Sequence, residues 1–235
     1  MTATKDVFTV PELYLLAAAF EGNVLFGLPE KQIYQLRGEE VFKAAHQRLV
    51  EKEIITPEGK ITHGGAIAIK AVELYYQSEK YVRINNLMFA FQEQDEDELL
   101  VLVELEEGEQ YQLRVISKAI VLKKLIEDFP FILREPVEEE KTFLKKELSH
   151  QERRETESFE LEQSLMNLEF FHLKEEPRHE NNSNYYQQWL VFVKDEKLIM
   201  VDTVQRKYYH ASQYWFLQML FDEMDFPYKE VAAHA

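Results

Sequence analysis

Histidines are the residues in this chain best suited to bind a metal or relay a proton, and there are seven: His46, His63, His150, His172, His179, His210 and His234. A zinc site needs two or three such ligands at fixed spacing, and here no His-Glu-x-x-His arrangement occurs and no carboxylate stands at ligand spacing. Gly64-Gly65 follows Thr62 as glycines do in a phosphate loop, but the Gly-Lys-Ser/Thr ending is missing and no buried strand leads into it. The pair reads as the start of a helix. No serine sits in a glycine elbow, so a hydrolase nucleophile has no support. Nine acids, Glu93, Asp95 to Glu98, Glu104, Glu106, Glu107 and Glu109, run to Gln110 with no basic residue among them. They lack the alternation and central glycine of a calcium loop and read as solvated tips of a hairpin sheet. The chemistry-bearing residues thus form no catalytic constellation, and the expectation is a protein that is not an enzyme and carries no cofactor or metal.

Composition narrows the partners. With 46% hydrophobic and 13% aromatic residues the chain must collapse around a core. A formal charge of −16 repels nucleic-acid phosphates and anionic headgroups alike. There is no cysteine, and hence no disulfide. The first residues lack a basic region followed by an apolar run, and no segment reaches the roughly 18 apolar residues of a membrane helix. Together these point to a cytoplasmic protein that binds no nucleic acid and does not insert into membranes.

Thr9 and Glu12 form a capping box, with Phe8 and Leu13 as its hydrophobic staple, ahead of an apolar stripe of Leu13, Leu16, Ala17 and Phe20. A second helix spans about Glu39 to Lys52. Ile54-Ile55 and Lys60 to Thr62 flank a turn at Thr56 to Gly59, and a third helix runs from about Ala66 to Gln77. Helix, helix, small hairpin, helix is a winged-helix-like order. From Asn85 the pattern becomes β, with strands at Leu87 to Phe91, Leu99 to Val103 and Tyr111 to Val115, then a helix capped by Ser117 that ends at Phe129-Pro130.

The same order returns: Asn167-Leu168 echoes Asn86-Leu87, Trp189 to Val193 and Leu198 to Val201 form a hairpin, Ser212 caps a helix, and Asp225-Phe226-Pro227 matches Asp128-Phe129-Pro130. The fold class expected is therefore α+β, a duplicated module of antiparallel three-stranded meander plus helix. It is laid out as one pseudo-symmetric domain over 1–235: a first module at about 8–133, a charged connecting helix at about 134–157, and a second module at about 158–230. Aromatics crowd the second module. Tyr185-Tyr186 and Tyr208-Tyr209 are consecutive, so both rings of a pair cannot face one core, and with Trp189 they are the candidate partner-binding residues.

Phe8 to Leu16, the Asn23-Val24-Leu25-Phe26-Gly27-Leu28-Pro29 that follows, and the hairpin from Leu49 to Thr62 resemble an uncharacterised family of Gram-positive bacteria encoded in type VII (ESX-like) secretion loci. The duplicated layout is similar, more distantly, to the EspG chaperones of mycobacterial ESX systems. The resemblance implies an EspG-like pseudo-twofold arrangement. It also implies a cytosolic adaptor or chaperone that binds a helical secretion substrate, or a small helical protein encoded in the same locus. The rival is a winged-helix transcriptional regulator, whose recognition helix would carry Lys43, Arg48 and Lys52 against Glu39, Glu40 and Glu51 and so have no net positive charge. Anisotropy titration of labelled duplex DNA at physiological salt is expected to show no specific binding; a specific micromolar complex would restore the regulator.

Overall fold

The computed structural model describes residues 5–92, 96–142, 145–157, 164–173 and 185–227. The chain divides into two compact units, Met1–Ile116 with Phe171–Tyr185, and Ser117–Phe170 with Tyr186–Ala235. It is an α+β protein whose described strand pairings are antiparallel.

In the first unit β1 (Val7–Thr9) passes directly into α1 (Val10–Ala17). Glu12 folds back to accept hydrogen bonds from the Thr9 backbone N–H at 2.7 Å and the Thr9 hydroxyl at 2.9 Å, tying down the helix start. Phe8 and Leu13, the expected staple, are both buried. Then come α2 (Lys31–Leu36), which the sequence did not announce, α3 (Glu39–Glu51) and α4 (His63–Gln77). The small hairpin between α3 and α4 reduces to a single bridge, Ile55 to Ile61, around a turn in which Gly59 has φ +81°. Thr62 caps α4: its hydroxyl oxygen accepts from the Gly65 N–H at 3.0 Å while its O–H donates to the Glu53 carbonyl at 2.7 Å. Gly65 is required by contact, since a Cβ there would lie 2.1 Å from the Ile54 carbonyl oxygen.

The sheet of this unit adds β2 (Lys80–Ile84), β3 (Leu87–Phe91), β4 (Glu98–Glu106) and β5 (Gln110–Ser117), in the order β1-β5-β4-β3-β2. Its core is formed by α1, α3 and α4 against one sheet face, with Leu13, Tyr14, Leu16, Leu49, Tyr75, Tyr81 and Leu100 among the buried side chains. The Tyr75 and Tyr81 hydroxyls are not orphaned: Tyr75 donates to the Phe26 carbonyl at 2.8 Å and Tyr81 to the Tyr75 carbonyl at 2.5 Å.

The second unit starts with α5 (Lys118–Asp128). It continues through a short 3-10 turn at Glu138–Glu140, β6 (Lys145–Glu147), α6 (His150–Glu157), β7 (Met166–His172, its first five residues in this unit), β8 (Tyr185–Lys194), β9 (Lys197–Asp202), β10 (Lys207–Ala211) and α7 (Gln213–Met224). The strand order is β7-β8-β9-β10-β6. Both units therefore place a four-stranded run in sequence order and add an earlier, three-residue strand beyond the last of the four.

Four strands, not three, make up each run. Lys80–Ile84 and Lys207–Ala211 went unread because charged residues open both and the buried positions do not alternate cleanly. Asn167-Leu168 consequently lies in the first strand of its run and Asn86-Leu87 at the start of the second. The charged segment 134–157 is not one connecting helix. It holds the Glu138–Glu140 turn and a strand as well as α6, because the Lys-Lys-Glu of β6 finds a ladder partner in β10.

Glu12 has no solvent exposure and pairs with the buried Lys52 ammonium at 2.5 Å, which also donates to the Val7 carbonyl at 2.7 Å. Glu12→Gln leaves that ammonium without its counter-charge and is expected to cost about 3–5 kcal/mol in urea unfolding, with much of the loss recovered by the apolar pair Glu12→Met/Lys52→Met. An unchanged midpoint in the single variant would refute this.

Candidate partner-binding surfaces

Period-2 alternation decides the fate of the consecutive tyrosines in the second unit. Tyr208 pairs with Val201 and Tyr209 with Met200, so the two rings leave β10 on opposite faces. Tyr208 is half-buried against Phe192, Ile199 and Val201, and the Arg153 guanidinium lies 4.6 Å from its ring centre. Tyr209 is buried on the other face with Trp189. Tyr186 is 39% exposed, with its hydroxyl near Gln188 (3.1 Å) and Glu169 (3.3 Å). The side chain of Tyr185 lies outside the described residues. The structure thus brings Trp189 and Tyr209 together, leaves Tyr186 at the surface, and sends Tyr208 to a separate small core.

Around Trp189 and Tyr209 stands a group that the sequence did not reveal. Trp215, at the start of α7, meets Trp189 edge to face at 5.5 Å. The Lys145 ammonium of β6 sits over all three rings, 4.5 Å from Trp215, 4.6 Å from Tyr209 and 5.1 Å from Trp189. Burial of the amine beside the rings holds it below the usual lysine range, while the Asp202 carboxylate acts the other way. Burial likewise pushes the Tyr209 hydroxyl up. The rings face the cation with the negative side of their π-systems, so this cage clasps β6 to the sheet edge and fills itself from within. Trp189 and Tyr209 are in this way committed inside the unit.

Beneath β6, Glu140 is wholly buried and accepts from the Leu198 N–H at 3.1 Å, from the Arg134 guanidinium and from the His210 ring at 2.9 Å. His210, one of the seven histidines, is therefore a structural residue. Among the described residues, no group of three His, Asp or Glu is placed to hold a metal.

The first unit holds an open apolar groove of about 650 Å3. Its walls are Ile67, Ala68 and Ala71 of α4 and Leu113 and Val115 of β5, and its floor is Phe8 and Ile54. Two alanines one turn apart leave the helix wall shallow, which is why the space exists. Ile67 and Val115 are 60% and 50% exposed. The groove runs beside the β5 edge, which β1 pairs through Gln110 to Gln112, with one further bond from Leu113 N–H to the Asp6 carbonyl. Past Leu113 no described strand covers that edge. Sequence reasoning missed the groove because its lining comes from β1, the Ile54 segment, α4 and β5, which lie far apart in the chain.

Removing the clasp tests the cage. Lys145→Ala is expected to lower stability by about 1 kcal/mol or more and to speed amide exchange in Tyr209–Ala211, while Lys145→Arg preserves both. Equal exchange in all three proteins would deny the clasp any role.

Similarity to known proteins follows the same outline. A family model described as a domain of unknown function (DUF5081) matches residues 2–232. The type VII secretion system protein EsaE of Staphylococcus aureus, in strains USA300 and NCTC 8325, is 24% identical over 153 residues, 65% of this chain and 68% of the relative. With a family model covering nearly its whole length, the chain belongs to the family described as a domain of unknown function, DUF5081.

Proposed function

We propose that the protein is a cytoplasmic adaptor or chaperone of a type VII secretion system, acting by binding and not by catalysis. Its partner is a small helical protein, a secretion substrate or component encoded in the same locus, and the α4–β5 groove receives it. The observation that carries this is the groove itself: exposed Ile67 on its α4 wall, beside Ala68 and Ala71, and exposed Val115 on its β5 wall. An amphipathic helix presents apolar side chains at i, i+3, i+4 and i+7, and such a stripe fits a channel of this kind. Similarity to a type VII secretion protein supplies the context. The matching strand orders of the two units read as an internal duplication of the kind EspG-like chaperones carry.

The cations of α3, and Lys52 just after it, support binding of protein over DNA. Lys52 is held by Glu12, Arg48 Nε lies 3.7 Å from the same carboxylate, and Lys43 is paired with Glu40 at 2.8 Å. Two of the three thus lie beside buried Glu12, and the charge of exposed Lys43 is offset by its neighbouring acids.

Co-expression with each small helical neighbour from the locus, followed by size-exclusion chromatography, is the test. One neighbour is expected to co-elute, and Ile67→Glu/Val115→Glu to weaken the complex at least tenfold while the circular dichroism spectrum is kept. Tyr186→Ala reports on the aromatic surface. Loss of binding there with the groove variant unaffected would move the site to the second unit, and co-elution of no neighbour would remove the adaptor reading.

A further inference from the structure

The second unit contains a basic pocket in a chain of net charge −16. The geometry points to a binding site for a phosphoryl group carried on a small molecule, in the cavity of about 490 Å3 between β6, the start of α6 and the β9–β10 turn. Lys146, His150, Arg153, Arg206 and Lys207 all line it. This inference is independent of the groove and of the adaptor reading.

Two carboxylates share the cavity, and both are already engaged. Glu147 pairs with Lys207 at 3.1 Å. Glu152 accepts from the Ser149 N–H at 2.8 Å in the cap of α6, and the Ser149 bonds, with Lys146 and Lys197 nearby, hold its carboxyl below the usual range. Arg153 is also committed, to Glu157 at 2.9 Å and to the ring of Tyr208. That leaves Lys146 and Arg206 as cations with no direct ion pair among the described residues, Lys146 acting on Glu152 only at longer range, and both line one cavity. Arg206 is fixed in a left-handed conformation, φ +57°, by a turn that is itself anchored: Gln205 N–H donates to the Asp202 carboxylate at 2.8 Å and Thr203 N–H to the Gln188 carbonyl at 3.1 Å. Its guanidinium is thereby presented from a defined backbone.

A guanidinium offers a planar fork that matches phosphate oxygens, and an ammonium supplies a point charge from a second direction. The cavity exceeds a bare phosphate and falls in the range of small-molecule sites, so the phosphate is carried on a larger body. A polyanion such as DNA would meet the negative field of the whole chain, whereas one or two phosphoryl charges meet mainly the local cations.

Inorganic pyrophosphate is the probe, titrated into the full chain by calorimetry and thermal shift at constant ionic strength, with citrate as a carboxylate control. Saturable binding at millimolar concentration or tighter is expected, weaker for citrate, and reduced at least tenfold in Lys146→Gln/Arg206→Gln with an unchanged melting temperature before ligand. Single variants cover the case in which the double one loses stability. A shift reproduced by sodium chloride alone, equal binding of citrate, or full binding by the double variant would each overturn the assignment.

Discussion

A carboxylate sealed from water at the start of α1 sets the geometry of the first unit. Glu12 closes the helix cap through Thr9, neutralises Lys52 of the segment after α3, and through Lys52 fixes the Val7 carbonyl of β1. Three elements are thus tied to one side chain, and none of its bonds competes with solvent. The second unit repeats the device with other residues. Glu140 gathers Arg134, His210 and the Leu198 amide, and so seats the turn that precedes β6 against β9 and β10. Buried, charge-paired clusters of this kind specify one packing over others, because a shifted alternative strands a buried charge.

Much of the first unit was legible because its signals are local. Thr9 with Glu12, the stripe of Leu13, Leu16 and Ala17, and Thr62 ahead of two glycines each announce a helix start within a few residues. The inference that Tyr208 and Tyr209 cannot share a core needed only that they are consecutive, and their alternation along β10 agrees with it. What that period does not say is which ring a neighbouring element covers. Tyr209 is buried because Trp215 and Lys145, distant in sequence, converge on it. β6 was unreadable for the opposite reason: Lys-Lys-Glu has no apolar face, and only the free edge of β10 makes it a strand.

Net charge proved to be a coarse guide to local electrostatics. The acidity that works against polyanion binding is a sum over the chain, while Lys146, Arg206 and Lys207 lie together at one corner of the second unit. Summation along a sequence erases such placement, because the residues come from β6 and from a turn some sixty positions later. The groove was hidden in the same way, since Ala68 and Ala71 look unremarkable on a helix until Leu113 and Val115 of β5 are known to stand opposite them.

The brevity of β1 has a further consequence for how the protein behaves at high concentration. Among the described residues β1 covers β5 only as far as Leu113, and an uncovered strand edge beside an apolar channel is a template on which two copies could pair and grow into aggregates. Arg114 stands on that stretch, exposed, between Leu113 and Val115. Stacking a second copy in antiparallel register would bring guanidinium groups close together across the junction and force their dehydration. A charged side chain at such a position works against self-adhesion of the strand.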